Sequence, residues 1–441
     1  MNDHAPHDFS SRMTVPMAGA AGEMASRSLL AAGMALITTI AFGVYWLTGV
    51  VLAERHATAH FGADTSFYAM LADMAVHHRA ARFHPVTTTL GLAWMKILSP
   101  LTPWLAPATI LNALFAAVGA LGVWAAMSIF TALLPRGYVL LGGVLYGASL
   151  GVWYFSAIPE SKIVTATLSV LYIAAYVRLR ERWSLTGGIA LGVVLALACL
   201  NEIVSAFLLA IPVMDALLRH GFDWRRSRWL AAHVPIVFAA WFVLEVFVNG
   251  WLIPESTYLE GQSHFNMLLY YIAKNNYGLA SIHGFIANWF FFNIVAPTPH
   301  ALKWTEAGGY FEPTMAAYLG SPLALAALFI IGLIAAASLL SRAASLGAGG
   351  QLLLPLAAYA LVRAVFFFIF NPTEPLLFSP AVTIVHWLIL LVPFAASSFP
   401  AKRALLTVLC VLLFVTNAGL MLGPEGWSGL WTRVAGAASP A

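Results

Sequence analysis

The stretch GGIALGVVLALACLNEIVSAFLLAIPVMDAL (187–217) is apolar except for the Asn201-Glu202 pair at its centre, Ser205, and Asp215 near its end. Read as one helix, 185–218 is a long span with a carboxylate at mid-membrane. Read as two, it is a pair of short spans joined by a tight turn at Asn201-Glu202. Loop charge decides between them, because Lys and Arg stay on the cytoplasmic side of short loops. A single span would put Arg225, Arg226 and Arg228 outside; two spans put them inside. The same count assigns IHGFIANWFFFNIVAP (282–297) to a re-entrant or interfacial helix, since a full span there would carry Arg342, Lys402 and Arg403 outside.

Apolar runs long enough to cross a bilayer occur at about 29–52, 107–133, 138–157, 161–178, 229–251, 321–341, 351–370, 380–397 and 404–422. The 441 residues are 61% hydrophobic and 9% charged, whereas soluble domains run near ~25% charged. The expected class is an all-α polytopic membrane protein of about 11 spans, with about 10 to 13 as the range. Residues 1–28 read as a cytoplasmic tail, 29–422 as one transmembrane domain, and 423–441 as an extracytoplasmic tail. The pI of 9.1 comes from a small excess of bases in short inner loops, so it signals topology and not nucleic acid. Cys199 and Cys410 lie in apolar runs and suit buried small residues. Size and alanine-rich composition fit a bacterial inner-membrane protein.

This topology gathers Asp64, Asp73, Glu160, Glu202, Glu255, Glu260, Glu306, Glu312 and Glu374 on the outer face. Acids have little influence on orientation, so their clustering marks that face as the working one. Two outer loops are long, 54–106 and 252–320. The first contains HFGADTSFYAMLADMAVHHRAARFHPVTTTLGLAWMKILSPLTP (60–103), with two carboxylates, four histidines and two arginines. Its apolar spacing predicts two interfacial helices around His84-Pro85. The second loop contains STYLEGQSHFNMLLYYIAKNNYGL (256–279), whose aromatics and amides suit either a ledge for a polar substrate or an interfacial belt.

These features, in this order, resemble the GT-C superfamily of integral-membrane glycosyltransferases, nearest to protein O-mannosyltransferases and aminoarabinose transferases. The resemblance runs over roughly residues 29–218. It rests on an acid after span one (Asp64), a helix through about Arg82, and the element RFHPVTTTLGLAWMKIL (82–98). The turn in WYFSAIPESKIVTATLSVLYIAAY (153–176) and the broken hairpin at 187–217 extend it. Where many relatives carry Asp-Glu this chain has Asp64-Thr65, and the usual His-Pro-Pro is His84-Pro85-Val86. The resemblance implies transfer of a sugar from a polyprenyl-phosphate-linked donor to an acceptor outside the cytoplasm, whether lipid, glycan or protein.

For that chemistry Asp64 is the expected base for the acceptor; an acid before a helical pattern also suits an N-cap. Asp73 and His77, four apart, would share one helix face with His78 and His84 near by. That spacing suits a divalent metal or, for Asp73, a substrate contact; no metal ligand is assigned, and a divalent metal stays open as the one cofactor. For the leaving phosphate, Arg363 stands out, because an intramembrane Arg usually has a partner or a task. A structural ion pair with Glu245 is the alternative. Lys162, Arg79 and Arg82 are further phosphate candidates, or snorkelling surface charges. Asn371 and Glu374, in FNPTEPLLFSP (370–380), cap the outer end above Arg363, and His84, Glu160 and Glu202 complete the expected substrate-binding set. Two other classes remain open: a transporter or flippase of a lipid-linked sugar, and an extracytoplasmic polysaccharide polymerase or ligase.

Overall fold

A computed structural model describes residues 17–55, 65–180, 184–221, 277–297, 302–305, 308–311, 315–340, 347–372 and 374–422, with a few positions between 234 and 275. Among them six helices are long and apolar enough to cross a membrane: Ala25–Ala53, Pro107–Leu133, Ser161–Leu179, Pro322–Leu339, Gly350–Phe370 and Lys402–Leu422. A seventh span is the bent pair Arg136–Ala148 and Leu150–Ala157, which turns by 59° at Ser149. Apolar side chains such as Leu36, Phe329, Leu339 and Leu361 are more than half exposed on the outside of the bundle. That surface suits acyl chains and not water. The chain is a multi-pass, predominantly α-helical membrane protein. The expected span at 229–251 lies largely outside the described residues, as do the arginines at 225–228 and the C-terminal tail. The first helix, α1 (Met17–Arg55), begins inside the segment read as a tail.

The hairpin at 187–217 breaks where its polar pair predicts. Helix α9 (Leu185–Asn201) ends at Glu202, a 3-10 turn covers Ile203–Leu209, and a further helix runs Ala210–His220. The end of the hairpin away from this break is closed by a buried ion cluster. The Tyr176 hydroxyl donates to Asp215 at 2.6 Å, Arg180 grips both Asp215 oxygens at 2.7 and 3.1 Å, and Arg219 lies 3.9 Å away. Every oxygen of that carboxylate has a donor, which is what a charge removed from water requires.

The re-entrant expectation at 282–297 becomes an α-helix, Leu279–Ile286, that widens into a π-helical turn, Ala287–Phe292. The carbonyls of Asn293 and Ile294 accept from Gly151 and Leu150, the first amides of the bent helix Leu150–Ala157. Asn417 closes the same junction: its amide donates to Ala148 and Ile294, and its oxygen accepts from Ala296. Broken backbone at membrane depth persists only where such partners satisfy it. One element was not foreseen, a two-stranded antiparallel hairpin, Leu302–Thr305 with Gly308–Phe311, in the second long loop.

In the first long loop helices flank His84-Pro85 as expected, but the first is broken: a short helix Thr65–Ala69, a 3-10 turn Met70–Asp73 and a helix His78–Phe83 precede the pair, and α4 (Pro85–Leu98) follows it. Met74 takes a left-handed conformation (φ 56°) and its amide returns to Leu71, which ends the first helical segment. Asp73 and His77 therefore do not share a helix face. Asp73 is exposed, and His77 stacks on Phe67 with ring centroids 3.9 Å apart.

Candidate functional site

The break after α9 delivers Glu202 to Arg363, which lies on the helix Gly347–Phe370. Arg363 is seven residues from the end of that helix, about 10 Å along its axis. Its Nη2 donates to Glu202 Oε2 at 2.5 Å, and Arg363 is 1% exposed. Its partner among the described residues is Glu202; Glu245, the alternative partner offered by the sequence, lies outside them. Lys162, in the first turn of the helix Ser161–Leu179, places its Nζ 4.0 Å from the other oxygen of Glu202. All three side chains are buried. The Arg363 guanidinium and the Lys162 ammonium offset the cost of burying the Glu202 carboxylate.

Two phenylalanines space the cations. Phe367 and Phe378 stack with centroids 3.9 Å apart; Arg363 Cζ lies 4.9 Å from the centre of Phe367, and Lys162 Nζ 4.6 Å from that of Phe378. Each ring thus carries one cation on a face of negative potential. Arg363 Nε also donates to the Phe378 carbonyl at 3.4 Å. Phe378 reaches this depth because the segment Pro375–Val382, behind the two prolines of FNPTEP, is a run of short buried helical turns.

The cluster keeps polar capacity in reserve. Arg363 Nη1, Glu202 Oε1 and Ser205 Oγ are buried, and none has a hydrogen bond of ordinary geometry among the described residues. Tyr359 neighbours both Arg363 and Ser169, and Ser205 follows Glu202 in the same turn, its amide on the Glu202 carbonyl. Buried polar atoms nearly always find partners, so a group of orphans around one ion pair marks room for a polar ligand or water. The touching charges are two cations and one carboxylate, a net +1. An anion is the ligand that such a site favours.

The other predicted residues divide. His84 joins the cluster's flank, its Nδ1 bonded to the carbonyl of Asn201. Glu160 is 1% exposed, and its Oε1 accepts from the amide and hydroxyl of Ser161 at 2.7 and 2.9 Å, capping the helix that carries Lys162. Asn371 donates to Glu374 at 2.8 Å, forming a small polar cap beside the Phe378 segment. Asp73 is not brought to the site. Asp64 lies outside the described residues, as do the side chains of Arg79 and Arg82, whose backbone belongs to the helix His78–Phe83. Among the described residues no three His, Cys, Asp or Glu side chains converge in a manner that would hold a metal. Cys199 and Cys410 are buried free thiols, as expected. Sequence reading missed Tyr359, Ser205, Phe367 and Phe378. The aromatic run FFFIF (366–370) hints at Phe367 alone, and such runs equally mark lipid-facing helices.

No protein-family profile matches the sequence, and no curated protein matches it significantly. Among solved structures the chain is similar to the crystal structure of ArnT from Cupriavidus metallidurans bound to undecaprenyl phosphate. Identity is 16% over 80% of this chain and 59% of that one, with a TM-score of 0.43. It is also similar to the same ArnT in the apo state, at 15% identity over 82% of this chain and 77% of that one, TM-score 0.37. The chain spans less than two thirds of the first structure's length.

Proposed function

We propose that the chain moves a sugar from a polyprenyl-phosphate carrier to an acceptor on the extracytoplasmic side. The Lys162–Glu202–Arg363 cluster would seat the phosphate and Asp64 would serve as the base. The observation that carries this reading is the buried cluster itself, with net charge +1 and orphaned donors, set between apolar helices. A phosphodiester-linked sugar lipid carries one negative charge at membrane depth and matches it. In the reaction, an acceptor hydroxyl or amine attacks the anomeric carbon while Asp64 accepts its proton. The bond from that carbon to the phosphate oxygen breaks, and the electron pair leaves with the polyprenyl phosphate. The leaving group gains a second negative charge in that step. Lys162 and Arg363 act on that charge, where low polarity strengthens their pull and the planar fork of Arg matches two phosphate oxygens.

Turnover tests the reading. Purified protein given a panel of polyprenyl-phosphate sugars should release free polyprenyl phosphate in step with sugar transfer or hydrolysis. Binding of the whole panel without cleavage of any donor would favour carriage of the lipid-linked sugar across the membrane instead.

Sidedness is a separate expectation with its own check. With Cys199 and Cys410 replaced, a membrane-impermeant thiol reagent added outside should label Gly309→Cys and not Ser227→Cys. The reverse pattern would place the working face on the cytoplasmic side.

A further inference from the structure

Asn201 is fully buried and spends its entire side chain on two other elements. Its Oδ1 accepts from the amide and hydroxyl of Thr87 at 3.0 and 2.7 Å, in the first turn of α4. Its Nδ2 donates to the Ser161 carbonyl at 3.2 Å and the Thr165 hydroxyl at 2.9 Å, on the helix that begins at Ser161. An amide has two acceptor sites on oxygen and two donors on nitrogen, and all four are used. Aspartate would lose the donors, and glutamine would carry the amide one methylene too far.

The positions that it ties together are the immediate neighbours of the cluster. Glu202 is the next residue in the chain. Ser161 precedes Lys162, whose ammonium faces Glu202 at 4.0 Å. Thr87 lies three residues after His84, and the Asn201 carbonyl is itself the partner of His84 Nδ1. A carbonyl can only accept, so in this contact Nδ1 of His84 carries the proton. One residue therefore sets the spacing of Glu202, Lys162 and His84 across three separate segments.

We infer that Asn201 is a positioning residue of the candidate site, fixing Lys162 and the His84 turn relative to the Glu202–Arg363 pair. This rests on the lipid-phosphate reading above, and undecaprenyl phosphate is the probe. A useful control exists in Asn417, a second fully buried asparagine that also closes a break in the backbone but lies apart from the cluster's contacts.

The experiment measures the affinity of full-length protein in lipid nanodiscs for undecaprenyl phosphate, together with thermal unfolding. Asn201→Leu should weaken binding by about tenfold or more in protein that is still folded. Thr87→Val, which removes one of the four bonds, should weaken it by about threefold, and Thr87→Ser should restore it. Asn417→Leu should lower the unfolding temperature and leave affinity unchanged. If Asn201→Leu does not fold, the Thr87 pair carries the test. Wild-type affinity in folded Asn201→Leu or in Thr87→Val would overturn the inference alone, as would an equal loss of affinity in Asn417→Leu. Absence of binding by the wild type overturns the lipid-phosphate reading and the inference with it.

Discussion

Arg363→Met should produce the largest loss of stability of any single substitution at the site, and should abolish lipid-phosphate binding with it. The guanidinium is 1% exposed and bonded to a carboxylate that is itself buried. Removing one partner of such a pair leaves the other uncompensated, which costs about 3–5 kcal/mol. Lys162, 4.0 Å from the second oxygen of Glu202, takes up part of that charge, so the lower end of the range is expected. The informative comparison is the double variant Arg363→Met with Glu202→Leu. It removes one cation and one anion, so the net charge of the cluster stays at +1. Replacing a buried pair with apolar side chains of similar volume is often neutral. Thermal unfolding followed by tryptophan fluorescence should therefore recover most of its midpoint in the double variant, while binding of undecaprenyl phosphate stays lost. Recovery of binding together with stability would reduce Arg363 to a structural partner of Glu202.

Asp64→Asn should leave binding intact and remove turnover. Asparagine keeps the size of the side chain but cannot accept the acceptor's proton, and loss of a general base typically slows a reaction by about 10²- to 10⁴-fold. The check is the rate of sugar transfer at saturating donor, measured beside the affinity for undecaprenyl phosphate. A normal rate would remove Asp64 from the mechanism. A parallel loss of rate and affinity would make it a binding or structural group, consistent with an N-cap before Thr65–Ala69.

The features legible in the sequence were those where a residue conflicts with its surroundings. Asn201-Glu202 interrupts an apolar run, and the helix breaks there. Arg363 in an apolar span demanded a partner, and it has one. The identity of that partner was not legible, because Glu202 and Glu245 are equally acidic and only the folded bundle brings residue 202 to residue 363. The spacing of Asp73 and His77 misled for a local reason. Four residues apart means one helix face only if the helix continues, and Met74 ends it in a left-handed conformation that non-glycine residues seldom adopt. Nothing in the composition of LADMAVHH announces that turn. The stacked Phe367 and Phe378 were hidden for the opposite reason, since aromatic residues in a membrane helix are ordinary and their pairing depends on the buried return of Pro375–Val382.

The central claim is that the cluster around Arg363 receives a lipid phosphate. A cryo-EM structure of the full-length protein in nanodiscs with undecaprenyl phosphate tests it most directly. The account predicts phosphate oxygens within hydrogen-bond distance of Arg363 Nη1 and Lys162 Nζ, with the polyprenyl chain leaving between the apolar helices. Phosphate density at another place, with the Glu202–Arg363 pair enclosed as before, would contradict it.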